Sequence, residues 1–103
     1  MRRRVVYSAR AQSQLWAMFL ELAGDASDES AFRIVLDLQL RLGILADFPY
    51  LGRAREDIAP GIRTLAFDRK VLVAYGVAKD LIRIVGIFRR GEDFETALRV
   101  PET

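Results

Sequence analysis

The chain has no cysteine and no histidine among its 103 residues. The first absence excludes disulfides and thiolate metal sites. The second removes the usual proton shuttle near neutral pH, and with it Ser-His-Asp and Cys-His catalysis and the common zinc sites. Any chemistry would have to rest on carboxylates, lysine, arginine or tyrosine. Proline is confined to Pro49, Pro60 and Pro101, and there is no repeat, low-complexity tract or linker-like stretch. No apolar run approaches the roughly 18–20 residues that a membrane span needs. The opening Met1-Arg-Arg-Arg-Val-Val-Tyr7 is basic but lacks a following hydrophobic region and a cleavage site. A signal peptide is therefore not expected, and the cytoplasm is the default location.

Apolar residues are plentiful. Residues 1–103 are expected to form one domain, and 51% of them are hydrophobic. A chain of this length buries only about 60–70% of its unfolded surface. Either the core is dense or a partner covers some of the apolar surface. The net charge of +2 hides a strong separation. Residues 1–10 carry four arginines and no acid, and residues 21–47 carry six acids against two bases. Residues 69–90 carry six bases against Asp80 alone, and residues 91–103 four acids against Arg99. A basic sheet beside acidic helices would steer an acidic partner or a phosphate backbone. The same charges could equally serve only to keep exposed edges soluble.

Periodicity and punctuation predict an α+β domain of order β-α-α-β-β-β, a helical hairpin packed on a small, twisted, mainly antiparallel sheet. Residues 2–7 fit a first strand, with Val5, Val6 and Tyr7 beside arginines. Ser8 is the predicted N-cap of a helix from Ala9 to Leu22, and Gly24 its stop. Ser27 caps a second helix, with Asp28 and Glu29 in the first turn where the dipole favours acids. That helix is predicted to run to Ala46, with Ile34, Val35, Leu38, Leu42 and Leu45 as its apolar stripe and Pro49 ending the hairpin. Residues 49–61 read as a loop punctuated by Pro49, Gly52, Pro60 and Gly61. Three strands follow, Ile62–Phe67, Lys70–Val77 and Leu81–Phe88, on connections short enough to require antiparallel neighbours. Val71, Val73, Tyr75 and Val77 line one face of the middle strand, Leu72, Ala74 and Gly76 the other, so both faces are expected to be covered. Glu92–Arg99 forms a short helix or tail.

Arginine ends the strands. Arg63, Arg83, Arg89 and Arg90 either build a surface that binds carboxylate or phosphate or are solvated edge residues. Arg2–Arg4 suit edge protection or nonspecific attraction. Trp16, Phe19 and Leu20 either enter the core or line a groove for a partner's helix or strand. Leu40 and Ile44, apolar on the charged side of their helix, favour the groove. Tyr75 lies within an apolar run, where a core aromatic with a bonded hydroxyl is expected.

An ordered set of motifs spans Val6 to Leu98: Tyr7-Ser8 with Ala11, the Pro49-x-x-Gly52-Arg53 turn, Gly61-Ile62-Arg63, Tyr75 ending an apolar strand, and Arg89-Arg90-Gly91-Glu92-Asp93. The set resembles the ParE branch of the ParE/RelE toxin superfamily. The resemblance implies a toxin of a type II toxin–antitoxin pair that inhibits DNA gyrase by binding, with no cofactor and no chemistry of its own. A ParD-like antitoxin would neutralise it and mediate any DNA contact. On this resemblance Arg63, Arg83, Arg89 and Arg90 would face the target, and Trp16, Phe19, Leu20, Leu40 and Ile44 the antitoxin. The alternatives are a RelE-like, ribosome-dependent mRNA endoribonuclease and an inactive homologue that persists as a complex subunit. The RelE-like branch has an arginine on its third strand and a tyrosine after its fourth; here Leu72 and Phe94 stand near those places. Arg89 stands where many members have a histidine.

Overall fold

The protein is described from a computed structural model covering residues 2–101. Its elements are β1 (Arg4–Tyr7), α1 (Ala9–Asp25), α2 (Asp28–Leu42), β2 (Arg53–Ala54), β3 (Ile62–Phe67), β4 (Val71–Val77), β5 (Leu81–Arg89) and α3 (Phe94–Arg99). The five strands lie in the order β1-β5-β4-β3-β2. β1 runs parallel to β5 and every other pair is antiparallel. The expected α+β architecture is present, with the short C-terminal helix after the last strand.

Both helix starts follow from their caps. Ser8 Oγ accepts from the Ala11 amide at 3.1 Å, and Ser27 Oγ from the Ser30 amide at 3.1 Å. Each side chain satisfies one of the amides that a helix start leaves without an intrahelical partner. Gly24 is not the stop that the sequence suggests: α1 continues to Asp25 and closes at Ala26, whose amide donates to Leu22. The second helix is shorter than expected, because Gly43–Ala46 tightens into a 3-10 turn after Leu42. Its buried stripe also differs. Ala31, Leu38, Leu42 and Leu45 are buried, whereas Ile34 of the expected stripe is half exposed.

Between hairpin and sheet lies the main core, built on Met18, Leu38, Leu42, Val73, Tyr75 and Ile84. The opposite face of the sheet carries a smaller core in which α3 contributes Leu98 against Ala74, Phe88 and Ile58. β4 is thus covered on both faces, as its unbroken apolar sequence requires.

Two departures from regularity decide where functional side chains point. Residues 49–61 are not loop throughout, since Arg53 and Ala54 pair with Thr64 and Arg63 as the edge strand β2. In β5, Ala74 pairs with Gly86 while Tyr75 pairs with Ile84, leaving Val85 as an extra residue. Such a bulge reverses the alternation beyond it. Ile82 and Ile84 face the helices before the bulge, and Ile87 faces them after it. Two side chains satisfy the disturbed ladder: Gln14 Oε1 accepts from the Ile87 amide at 2.7 Å, and Arg10 Nε donates to the Val85 carbonyl at 3.0 Å.

Candidate functional site

The Pro49-x-x-Gly52-Arg53 turn is fastened by two side chains from the sheet. Tyr75 is fully buried; its hydroxyl accepts from the Gly52 amide at 2.7 Å and donates to the Pro49 carbonyl at 2.9 Å. Burial raises the pKa of that phenol above its ordinary value, because the anion would be desolvated. A Cβ added at Gly52 would lie 2.7 Å from Tyr75 Oη and 2.9 Å from the Thr64 carbonyl oxygen. The motif therefore needs glycine for space. Arg63 Nη1 donates to the Gly52 carbonyl at 2.8 Å, and its guanidinium lies 5.0 Å from the centre of the Tyr50 ring. Gly61, with φ of 77°, supplies the left-handed turn into β3, and its amide donates to the Glu56 carboxylate.

The four expected target-facing arginines do not share one surface. Arg63 and Arg89 pair with Tyr75 and Val71 of β4, so they stand about 13 Å apart along the sheet at ~3.3 Å per residue. Arg83 is exposed and, between the inward Ile82 and Ile84, faces away from the helices. Arg89 and Arg90 are brought together with Arg33, Arg41 and Lys70. Displaced by the bulge to the helix side, Arg89 places Nη1 2.7 Å from Glu21 Oε2 on α1. That contact is electrostatic rather than an aligned hydrogen bond.

Beside Arg89 opens a cleft of about 700 Å³ at the end of the layer between the helices and the sheet. Met18, Leu22, Leu38, Phe67 and Val71 form its floor, and Arg33, Arg41, Lys70, Arg89 and Arg90 its cationic rim. Arg41 is held in a bidentate pair with Asp68, at 2.7 and 3.2 Å, and lies 5.0 Å from the Phe67 ring centre. The pairing holds the Asp68 carboxyl below its ordinary pKa.

On the other flank of α2 lies a second, apolar groove lined by Leu15, Trp16, Phe19, Phe32 and Val35, with Val6 and Tyr7 of β1 at its side. Trp16 and Phe19 stack at 5.4 Å. Trp16 is 61% exposed and Leu20 53%, which overturns the alternative that they enter the core. Leu40 and Ile44 are exposed as well, but they belong to a ridge rather than to the groove. Phe32, Leu36 and Leu40 on α2 and Ile44 in the 3-10 turn after it, four residues apart in succession, are all exposed. Phe32 and Leu36 were legible, since the same spacing runs back from Leu40.

Residues 5–94 match the ParE toxin family of the type II toxin–antitoxin system, parDE. The chain belongs to that family. Among solved structures, a chain of the chromosomal ParDE TA system from P. aeruginosa is similar, with 24% identity and a TM-score of 0.73 over 84% of this chain and 95% of that one. The conserved hypothetical protein HP0894 from Helicobacter pylori has 21% identity and a TM-score of 0.56, covering 89% and 98% of the two chains. A chain of the E. coli DinJ-YafQ toxin–antitoxin complex has 15% identity and a TM-score of 0.51, covering 91% and 99%. At these identities the structures share the fold. No curated protein matches the chain.

Among the described residues no cluster of carboxylates could hold a metal ion, and no helix is long and apolar enough to cross a membrane. Arg10 is a further residue that no local pattern marks. Its Nη1 donates to the carbonyls of Ala97 at 3.0 Å and Val100 at 3.3 Å, tying α3 to the sheet. A lone arginine inside an amphipathic helix carries no sign of contacts this distant in sequence.

Proposed function

We propose that this ParE-family toxin acts in the cytoplasm by binding rather than by chemistry, inhibiting DNA gyrase, and that a ParD-like antitoxin silences it by covering the helical hairpin. The observation that carries the reading is the exposed apolar face of that hairpin, with Trp16, Leu20, Phe32 and Leu40 each more than half exposed. So large an uncovered apolar surface on a small domain marks an interface. Trp16, Phe19, Leu20, Leu40 and Ile44 would meet the antitoxin, with Phe32 and Leu36 completing the ridge; an i, i+4 ridge fits the groove of a partner helix. No cofactor enters, and DNA contact comes only through the antitoxin or the target.

The binding reading is supported by the states of Tyr75 and of Phe94, which stands near the place of the RelE-like branch's tyrosine. Both hydrogen-bonding functions of Tyr75 are taken up by the chain itself, and Phe94 packs against Phe88 at 6.2 Å. Arg89 and Arg90 would face the target on the helix side and Arg83 from the opposite face of the sheet, while Arg63 acts through the 49–52 turn that it holds. Induction of the chain alone tests the target. Gyrase inhibition should give SOS induction, filamentation and altered supercoiling with intact transcripts. Immediate translational arrest with ribosome-dependent cuts would replace it with the RelE-like endoribonuclease, and no arrest at all would indicate the inactive homologue. Trp16→Glu and Leu20→Glu should each weaken the toxin–antitoxin complex; a dissociation constant unchanged in a folded variant would remove that residue from the interface.

A further inference from the structure

We infer that the Phe48-Pro49-Tyr50-Leu51 turn is a docking wedge that enters an apolar pocket, with a carboxylate at its rim, on the protein that the toxin disables. The inference deepens the role given above to Arg63, which acts through this turn. It rests on the binding reading for the identity of the target as DNA gyrase.

Three large apolar side chains radiate from these four residues, since Phe48, Tyr50 and Leu51 are each more than half exposed. Neither core takes up any of them. Their backbone, by contrast, is fixed. Pro49 holds the second position of a β-turn, which its φ suits, and the Leu51 amide closes that turn on the Phe48 carbonyl at 3.3 Å. The Phe48 amide donates to the Ile44 carbonyl at 2.9 Å. Tyr75 and Arg63 occupy the Pro49 carbonyl and both backbone polar groups of Gly52. A turn tied in this way has little conformational freedom left to lose on binding. Rigid aromatic and aliphatic side chains held in water by such a turn are suited to anchor an interface.

Charge narrows the partner. Arg63 is spent on the Gly52 carbonyl and on one face of the Tyr50 ring. Arg53, just past the turn, is exposed and has no ion pair among the described residues. One unpaired guanidinium beside three apolar side chains matches a hydrophobic pocket with a carboxylate at its rim. A nucleic-acid strand fits less well, because it needs a run of cations along its backbone and free aromatic faces for its bases. A second copy of this chain offers no such pocket. The groove beside Trp16 has no acidic residue in its lining, and the cleft beside Arg89 has Arg33, Arg41, Lys70, Arg89 and Arg90 against Asp37 and Asp68. Tyr50 also sits with the sheet, on Arg63 of β3, and not on the helical ridge assigned above to the antitoxin.

Induction of turn variants and of the parent at equal expression provides the test, with supercoiling by purified DNA gyrase and affinity for the antitoxin as further readouts. Tyr50→Ala and Leu51→Ser should melt within about 4 °C of the parent, because both side chains are exposed. Both should keep the parent's dissociation constant for the antitoxin, fail to arrest growth, and require about tenfold or more protein to inhibit gyrase. Tyr50→Phe, which keeps the ring, should retain the parent's activity. Arg53→Glu should weaken inhibition too, and it keeps the test open if an apolar variant melts low. Val100→Ser, at a comparably exposed apolar side chain outside the turn, should change nothing. Full arrest by a Tyr50→Ala, Leu51→Ser double variant would overturn the inference. So would a loss of antitoxin affinity as large as the loss of toxicity, which would give the turn to the antitoxin. A parent dimer that Tyr50→Ala dissolves, or binding of a labelled single-stranded RNA 12-mer that Tyr50→Ala abolishes, would overturn it as well. A parent that arrests growth while gyrase stays uninhibited would end the gyrase reading alone, and the arrest phenotype of the same variants would still decide the role of the turn.

Discussion

Replacing Tyr75 with phenylalanine isolates a single oxygen whose two partners are both known. The parent hydroxyl serves the Gly52 amide and the Pro49 carbonyl. Phenylalanine keeps the ring packing and orphans both. An unsatisfied buried backbone group costs about 1–3 kcal/mol. Gly52 is buried and bears the full penalty, whereas Pro49 is only partly covered and regains some hydration. The net loss should be about 2–3 kcal/mol. For a domain of this size each kcal/mol moves the midpoint by about 4–8 °C, so Tm should fall by about 8–24 °C. Differential scanning calorimetry of the toxin–antitoxin complex and of the free chain reads this directly. Gly52→Ala should be destabilising too, and should remain so in the Tyr75→Phe background, because the added Cβ still meets ring carbon Cε1 at 2.8 Å and the Thr64 carbonyl at 2.9 Å. A Tyr75→Phe protein that melts within about 2 °C of the parent would refute the structural account. If it also lost growth arrest at equal expression, the hydroxyl would return as a functional group.

Further expectations concern the turn, the tail and the charge network. Asp68 and Arg69 both have positive φ, 54° and 58°, in a turn whose geometry favours glycine at the second position; Arg69→Gly should raise stability by about 0.5–1 kcal/mol in urea unfolding. Arg10→Ala should cost about 1.5–3 kcal/mol and loosen α3, seen as faster amide exchange over Phe94–Arg99, since charge-assisted bonds to three carbonyls disappear. An Arg89→Ala, Arg90→Ala double variant should melt nearly like the parent, still bind the antitoxin, and fail to arrest growth; full toxicity would shift attention to Arg83. In a pH series, Asp57 and Asp68 have carboxyls held below the ordinary 3.8 by hydrogen bonds from Arg55 and Arg41, so their contribution is complete above that pH and is lost as pH falls through the folded values. Tyr7 and Tyr75 are raised above 10.0 by burial, so theirs is complete below pH 10.0 and lost on going higher. A Tm plateau between those limits, flat through neutrality, is expected of a chain without histidine; a transition near pH 6 or 7 would contradict it.

Local chemistry determined much of this protein in advance. Ser8 and Ser27 begin helices because a hydroxyl reaches an amide three residues on. The three long strands were legible because their alternation and short connections admit only antiparallel neighbours. Tyr75 was readable as a bonded core aromatic, since a phenol in an apolar strand must find partners. Each of these outcomes depends on residues close in sequence or on a pattern repeated along one element.

Tertiary structure decided the rest, because it depends on what distant segments offer one another. β2 is two exposed residues with no pattern of their own, and it exists because β3 presents an open edge. β1 lies beside β5, a pairing across more than seventy residues that no local signal records. Exposure of Trp16 and Leu20 was undecided in the sequence, since helical spacing gives a direction but not what lies in that direction. The bulge at Val85 matters most for function. One extra residue turns Arg89 from the outer face toward Glu21 and the cleft, while Arg83, upstream of it, remains outside. Spacing along the chain assigns both arginines to the same face; only the unequal pairing of two strands separates them.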